Sequence, residues 1–513
     1  MTKVYDTATD LITFARSSSG TALRRVGYGE NLVDNDDFTS GLTSWEQDDT
    51  AFSVVGGELV YDASGDGSRV GQVVNFTAGK VYQLTFDATI SSTFRLQLVD
   101  QISNDSGAQI ILSGVSTGAN TVVFVPNSSF TYLVFRRVTR TNNSTLDNVS
   151  VKEVIFNRAT DDLVLFNHPD DIPRIEYAAD GSLKGLLIEE QRTNLRTYST
   201  VPDSNNNYRV NATSVASTET APDGSTDAVL LTATGTSADN AWDNYNNTYG
   251  ANLNDTMTYS FFIKAEAATT VSVGLFGATR GMTYNFDTDT VTATGSDASA
   301  HVEHYGNDWV RVGVTTTKTN QFHYWQVSLG GTTKTAHIWG VQLEVGSFPT
   351  SYIPTAGSTV TRSPDIASIP VSAFGYNQDA GTFVADYTPV TKQNQYAISV
   401  TTSFNYMALL WGNAGNAVRF QVTAGSATSA QLNTLTGTVA GTRTVHAGAY
   451  AANDFAACND GGTVLTDTLG DVPSGLVQMK IGSEFSDYLN GHIKSIQYYP
   501  RRLTNIQLQE LTS

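Results

Sequence analysis

Cysteine is nearly absent from this chain: Cys458 is the single one in 513 residues. An intramolecular disulfide is therefore excluded, and so is a cysteine-built metal cage. Stability has to come from packed cores or from association. Charge is scarce as well, at 15% of residues, against about a quarter in ordinary soluble proteins. The 30 Lys and Arg are outnumbered by 49 Asp and Glu, for a net charge of −19. A surface of that sign repels phosphate, so neither nucleic acid nor an anionic membrane is expected as a partner. With only 12 prolines, a collagen-like or polyproline stalk is excluded. No apolar run approaches the roughly 20 residues of a membrane span, so no membrane insertion is expected. The opening residues, MTKVYDTATD, lack a basic stretch followed by an apolar one. No export signal is expected, and synthesis in a cytoplasm is.

What replaces the missing charge is Thr, Ser, Asn, Gln and Gly. That exchange suits the exposed faces of antiparallel sheets. Alternation of period two recurs along the chain, as in Val81-Tyr82-Gln83-Leu84-Thr85-Phe86, Thr93-Phe94-Arg95-Leu96 and Trp309-Val310-Arg311-Val312. It predicts half-buried strands. Turn signals separate them, among them Gly56-Gly57, Asp223-Gly224, Gly330-Gly331 and Asp460-Gly461-Gly462. The expected fold is all-β: tandem antiparallel β-sandwich (jelly-roll) domains with a short C-terminal helix over Leu503–Leu511.

A repeat organises the chain. One block opens at Asn31-Leu32 and closes at Leu146-Asp147-Asn148-Val149. A second opens at Asn194-Leu195 and closes at Ile338-Trp339-Gly340-Val341-Gln342-Leu343-Glu344. Each has an early tryptophan, Trp45 and Trp242. The expected domains are an attachment segment at 1–30, a jelly roll at 31–153, a connector at 154–193, a second jelly roll at 194–346, a linker at 347–375 and a third domain at 376–513. One stretch departs from the β-type composition: GLLIEEQRTNL, residues 185–195. Its glutamates and arginine are expected to join domains or subunits.

Several peptides carry a resemblance. Ile12-Thr13-Phe14-Ala15-Arg16-Ser17-Ser18 resembles the "TFTRAS" opening of virion structural proteins of tailed bacteriophages, and Phe156-Asn157-Arg158-Ala159 repeats the theme. Pro173-Arg174-Ile175-Glu176-Tyr177 and the stretch from Gly181 to Leu195 are similar to that family's "PRFDYDP…GLLIEEQRTNL". Ile338–Glu344, Phe348–Thr355 and Thr361-Arg362-Ser363-Pro364-Asp365 resemble its "IWGAQLE", "FPTSYIPT" and "TRAAD". Residues 31–153 are similar to carbohydrate-binding modules of families four and nine, through Asn31–Phe38, Gly41–Trp45 and the Leu146–Val151 close. Residues 376–513 resemble laminin-G or concanavalin-A-like lectin domains, through Gly381-Thr382-Phe383 and the Gly491-His492-Ile493 strand. The resemblance implies a homotrimeric particle component on the virion surface, assembled in a bacterial cytoplasm, with other virion proteins as partners.

Sugar sites need aromatic faces for pyranose rings and amides for hydroxyls. Trp242, Tyr245, Asn246 and Tyr249 supply that mix in one expected loop. Tyr406, Trp411, Asn413 and Asn416 could line a lectin face. Trp45, Tyr61 and Arg69 are further candidates, although a sandwich needs Trp45 as core filler. His301 and His304 point to opposite faces of a strand, which argues against zinc. Asp34–Asp37 and Asp48-Asp49 offer hard oxygen ligands for a structural calcium, with no ligand set assigned; no other cofactor is expected. The chain has no GxSxG, HExxH or P-loop, so no enzyme is expected. The leading expectation is a tail fibre or similar appendage that presents its modules to host-surface glycans. A purely structural head fibre or decoration protein, and a polysaccharide depolymerase, are the alternatives.

Overall fold

The computed structural model describes residues 12–61, 67–90, 94–138, 144–200, 208–235, 241–243, 254–275, 281–296, 298–318, 325–390, 395–402, 405–412, 417–435 and 440–513. Their regular secondary structure is almost entirely antiparallel strand, with one α-helix, Asn505–Thr512, and one 3-10 turn. The chain divides into two compact units, residues 25–162 and residues 1–24 with 163–513.

The smaller unit is a two-sheet sandwich. One sheet runs Glu46–Gln47, Arg69–Val73, Tyr132–Arg137, Phe94–Val99, Gln109–Leu112. The other pairs Gly118–Phe124 with Tyr82–Thr89, and Tyr82–Thr89 with the long strand Ser144–Phe156. Alternate residues of both faces meet in a core of Phe38, Trp45, Phe86, Leu96, Phe135 and Val149. Trp45 is core filler, 5.0 Å from the Phe38 ring, and its indole N–H donates to the Asn35 carbonyl at 3.1 Å. Tyr61 is buried beneath the Arg137 guanidinium. Arg69 is taken up by Asp48 and Asp105, at 2.6 and 3.0 Å. None of these three offers a free face to a sugar.

The larger unit holds two sandwiches. In the jelly roll, the first sheet runs Ala212–Ala216, Val229–Ala233, Thr335–Val345, Thr256–Ala265, Val310–Thr317, Ser299–His304. It covers a second sheet of Thr290–Thr294, Gly281–Asn285, Thr270–Leu275 and Trp325–Ser328. Tyr259 and Trp325 stack at 4.9 Å in its core.

The C-terminal sandwich reaches further back along the chain than the 376–513 expected for it. One seven-stranded sheet begins with Thr13–Ala15 and Ile366–Pro370, before Gln478–Ile481, Gln395–Thr402, Asn405–Gly412, Ala417–Ala424 and Ala427–Leu435. The opposite sheet begins with Ile175–Tyr177 and Leu183–Ile188, before Gly491–Tyr499, Ala380–Pro389, Thr444–Ala451, Phe455–Asn459 and Leu465–Asp467. Peptides read as attachment segment, connector and linker are thus strands of this sandwich. Leu186 and Ile188 enter the same core as Phe383, Leu409 and Phe420. The helix follows as expected. Thr504 and Gln507 cap it reciprocally, at 3.3 and 3.0 Å, and Leu508 is buried.

Gly185 shows why the GLLIEEQRTNL stretch starts as it does. Its φ is +124°, and a Cβ there would sit 2.3 Å from the Ile493 carbonyl oxygen. Strand Leu183–Ile188 can approach Gly491–Tyr499 only through a glycine. Gly185→Ala is expected to cost at least about 1–3 kcal/mol from the backbone strain alone. A urea midpoint indistinguishable from the wild type would contradict this packing.

Candidate functional site

The junction peptides converge on one buried polar cluster inside the larger unit. Arg16, Arg174, Arg362, Glu189 and Asp365 have side chains at most 6% exposed. Arg16 reaches Asp365 at 3.2 Å and donates to the carbonyls of Ser18, Pro169 and Ile172. Arg174 pairs with Glu189 at 2.8 Å and also with Asp365. Arg362 lies 3.4 Å from Glu189. Ser351 donates to both Glu189 oxygens, from its N–H at 2.7 Å and its hydroxyl at 2.6 Å. The Glu189 N–H donates to Asp365 at 2.9 Å, and the Asp365 N–H returns to the Glu189 carbonyl at 2.9 Å. Burial alone would raise the Glu189 carboxyl; Arg362 and Arg174 outweigh it and hold it well below the usual range. Three guanidinium groups share two carboxylates, and each carboxylate is held by at least two of them, so the cluster is architecture. Glu190 faces the other way, pairs with Arg192 at 2.5 Å and accepts from Asn490 at 2.9 Å.

Beside this cluster lies a half-open groove of about 600 Å³ between the two sandwiches of the larger unit. Strand alternation builds its floor. Ala385 and Tyr387 face the core, so Asp386 and Thr388 face the groove; Ile493 faces in, so His492 and Lys494 face out. The roof comes from the edge strand Ser299–His304 and its neighbour Val310–Thr317, through His301, Glu303 and Arg311.

The groove is rich in polar groups and nearly balanced in charge. Lys184 pairs with Glu303 and lies 4.0 Å from Glu176, which bonds His492 Nε2 at 2.5 Å. Tyr305 donates to Glu303 at 3.1 Å. Arg443 grips Asp386 with two bonds of 2.8 Å. Burial would raise Glu176; Lys184 and His492 reverse that and bring it down to about 2. Burial, then Arg311, lowers His301 to about 4, so it stands neutral in the groove wall. Neutral and ionised donors and acceptors over a deep floor suit a polyhydroxylated ligand, and the volume falls within the usual range for small-ligand clefts.

Of the residues read as sugar contacts, Tyr406 stands half-buried on the outer face of the C-terminal sandwich. Trp411 does not share that face. It is fully buried, because Leu409 and Trp411 alternate with Ala408 and Leu410 and point into the core. Trp242 lies on the strand Ala241–Asp243, but its side chain is outside the described residues, as are Tyr245, Asn246, Tyr249, Asn413 and Asn416. His304 is exposed and meets Asp289 at 3.1 Å, while His301 turns into the groove. Asp36 accepts from Asn31, Asp37 from Thr39, Asp48 from Arg69 and Asp49 from Ser68. Among the described residues no three Asp, Glu, His or Cys side chains gather as a metal site requires. The groove is not legible in the sequence because its walls come from several separate segments spread between residues 176 and 494.

The chain is thus a protein of tandem antiparallel β-sandwiches. No family model and no curated protein matches it. Solved structures similar to it include the CBM40 of a Ruminococcus gnavus IT-sialidase bound to α2,3-sialyllactose, at 16% identity over 27% of this chain and 84% of that one, TM-score 0.24. The tandem CBM22 domain of Paenibacillus barcinonensis Xyn10C is similar at 11% identity over 62% of this chain and 98% of that one, TM-score 0.22. Domains LG4-5 of the mouse laminin α1 chain are similar at 8% identity over 64% and 94%, TM-score 0.20. Carbohydrate-binding modules and laminin G domains are therefore among its structural neighbours, and at these scores no ligand passes from them to this chain.

Proposed function

We propose that this chain is a non-enzymatic surface appendage of a tailed-phage type of virion, a tail fibre or similar, that holds host-surface glycans. The observation that carries the glycan reading is the groove: about 600 Å³, walled by two sandwiches and lined with Asp386, Arg443, His301, His492 and Asn490. Its acids are already paired with Lys184, His492 and Arg443, which leaves hydrogen-bonding capacity but no free acid–base couple for hydrolysis. The junction peptides that resemble virion proteins support the particle setting, and three copies on one fibre would multiply weak sites. Lys494 is exposed at the groove and free to change without disturbing the core. Lys494→Trp is expected to fill the groove and cut retention of the full chain on a host-polysaccharide array by about tenfold or more, at about 1.4 kcal/mol per factor of ten. Unchanged retention would remove the groove from the binding mechanism.

A purely structural head fibre or decoration protein is the second reading. It is favoured by the buried Arg16–Asp365–Arg174–Glu189 cluster, where the strongest peptide resemblances serve packing. Immunogold labelling of particles, tail against head, separates the two.

A further inference from the structure

Basic residues are scarce in the smaller unit: residues 25–162 hold nine Lys and Arg against 17 Asp and Glu. Three of the nine stand side by side on one sheet. Arg136 is directly opposite Arg69 on one neighbouring strand and Arg95 on the other. Phe135, Val70 and Leu96 enter the core, so the three arginines face outward. Like charges set opposite one another weaken a sheet. The row is not hidden from water either, since its side chains are 16%, 22% and 25% exposed.

The neutralisation of this row falls short. Asp105, from the loop after Phe94–Val99, is within reach of all three: Arg69 Nε at 3.0 Å, Arg95 Nη2 at 3.3 Å and Arg136 Nε at 3.1 Å. The Arg136 contact lies off the line of a hydrogen bond. Gln97 also donates to Asp105, at 2.6 Å. Asp48 accepts from Arg69 at 2.6 Å. Three guanidinium groups thus share two carboxylates, and the shortfall lands on Arg136. The hydrogen bond to Asp105 raises Arg69. Burial lowers Arg136, and the charges of Arg95 and Arg69 lower it further against the pull of Asp105. Among the described residues neither terminal nitrogen of Arg136 has a hydrogen-bond partner, and Arg95 uses only Nη2. Further along the same face Gln97, Val99 and Val134 are buried, so the arginine row is the open end of the sheet.

We propose that this row is a carboxylate-binding site, in which Arg136 and Arg95 hold the acid group of a ligand beside Asp105. The guanidinium fork matches the two oxygens of a carboxylate. Asp105 shows that one carboxylate fits within reach of the whole row. A ligand carboxylate sets three anions against three cations. Because the face beyond the row is closed, the ligand presents an acid end and does not lie along the strands. Its chemistry is that of a free carboxylate or of the acid group on a uronic or sialic sugar. The site lies in the smaller unit and does not depend on the groove.

Saturation-transfer NMR on the full chain tests it, with acetate, methyl glucuronoside and methyl glucoside at about 10 mM, above a millimolar Kd, and at fixed ionic strength. Acetate and the glucuronoside should receive saturation that the double variant Arg95→Gln/Arg136→Gln cuts at least about fivefold. Transfer to the glucoside should be the same in both proteins. Asp105→Asn should lower the Kd of both carboxylates at least about threefold, because a competing negative charge leaves the row. A gain of affinity cannot come from damaged folding, so this variant separates a binding role from a structural one. The transfer lost in the arginine variant should persist in Lys494→Trp. Acetate bound as tightly as the glucuronoside identifies a free carboxylate as the ligand, and a tighter glucuronoside identifies an acidic sugar. The proposal is overturned by no transfer to either carboxylate, by transfer that survives the arginine variant, or by an equal loss for the glucoside. Asp105→Asn with unchanged or weakened affinity overturns it as well.

Discussion

Asp365→Ala is expected to destabilise the larger unit by about 3–5 kcal/mol, the range for breaking a buried ion pair by removing one partner. Asp365 is fully buried and stands between Arg16 at 3.2 Å, Arg174 in direct contact and Arg362 at 3.9 Å. Without it, three buried guanidinium groups face Glu189 with no second carboxylate among them. Arg16 is already under stress: burial, then Arg174, lowers it to about 10 even with Asp365 in place. The backbone is involved too, because the Glu189 N–H loses its acceptor. Asp365→Asn keeps an acceptor oxygen and should cost less. Five of the six tryptophans lie in the larger unit, and Trp45 is the exception. Urea unfolding followed by tryptophan fluorescence therefore reports on this unit. A midpoint that stays within error in Asp365→Ala would mean that the junction peptides are not held by this network.

That network also shows where sequence reading ends. The all-β fold was legible because period-two alternation is local: Val81–Ala88 predicts Tyr82–Thr89, and the C-terminal pattern predicts Asn505–Thr512. The GLLIEEQRTNL stretch was legible as a junction and not as an interior. Two glutamates and an arginine look solvated until their partners are known, and the partners of Glu189 stand at 174, 351 and 362. Trp411 failed for a different reason. Both faces of Met407–Trp411 are apolar, so alternation gave no polarity, and only the opposite sheet decides that Leu409 and Trp411 point inward. The hairpin in which Ser483 pairs with Tyr488 and Glu484 with Asp487 left no trace, since its loop residues, Phe485 at φ +55° and Ser486, break the usual turn chemistry.

Acid should unfold the larger unit well before the smaller one. Three imidazoles in it are kept neutral. His168 is fully buried; burial, then Arg24, Arg16 and Arg174, push it well below its ordinary value, and its Nδ1 lies 3.1 Å from the Phe166 carbonyl. Burial lowers His446 to about 3, and His301 falls to about 4. In the unfolded chain each titrates near its usual 6.5 or so, so below that pH the unfolded state binds protons that the native state refuses. Stability is full above this range and is lost as pH falls, by about 1.4 kcal/mol per pH unit for each imidazole, and so by about 4 kcal/mol per pH unit for the three between roughly pH 6 and 4. Below about 4.5 the depressed carboxyls of Glu189 and Glu176 act in the same direction. Residues 25–162 contain no histidine, so the smaller unit should hold its stability across the same window. His446 adds a check of its own. Neither of its ring nitrogens has a hydrogen-bond partner among the described residues, so His446→Leu removes a proton site and two orphaned polar atoms together. Its melting curve should lie above the wild type at pH 7 and flatten by about a third between pH 6 and 4. A melting temperature of the larger unit that is level from pH 7 to 4.5, or a His446→Leu slope equal to the wild type, would show that these imidazoles are not buried neutral.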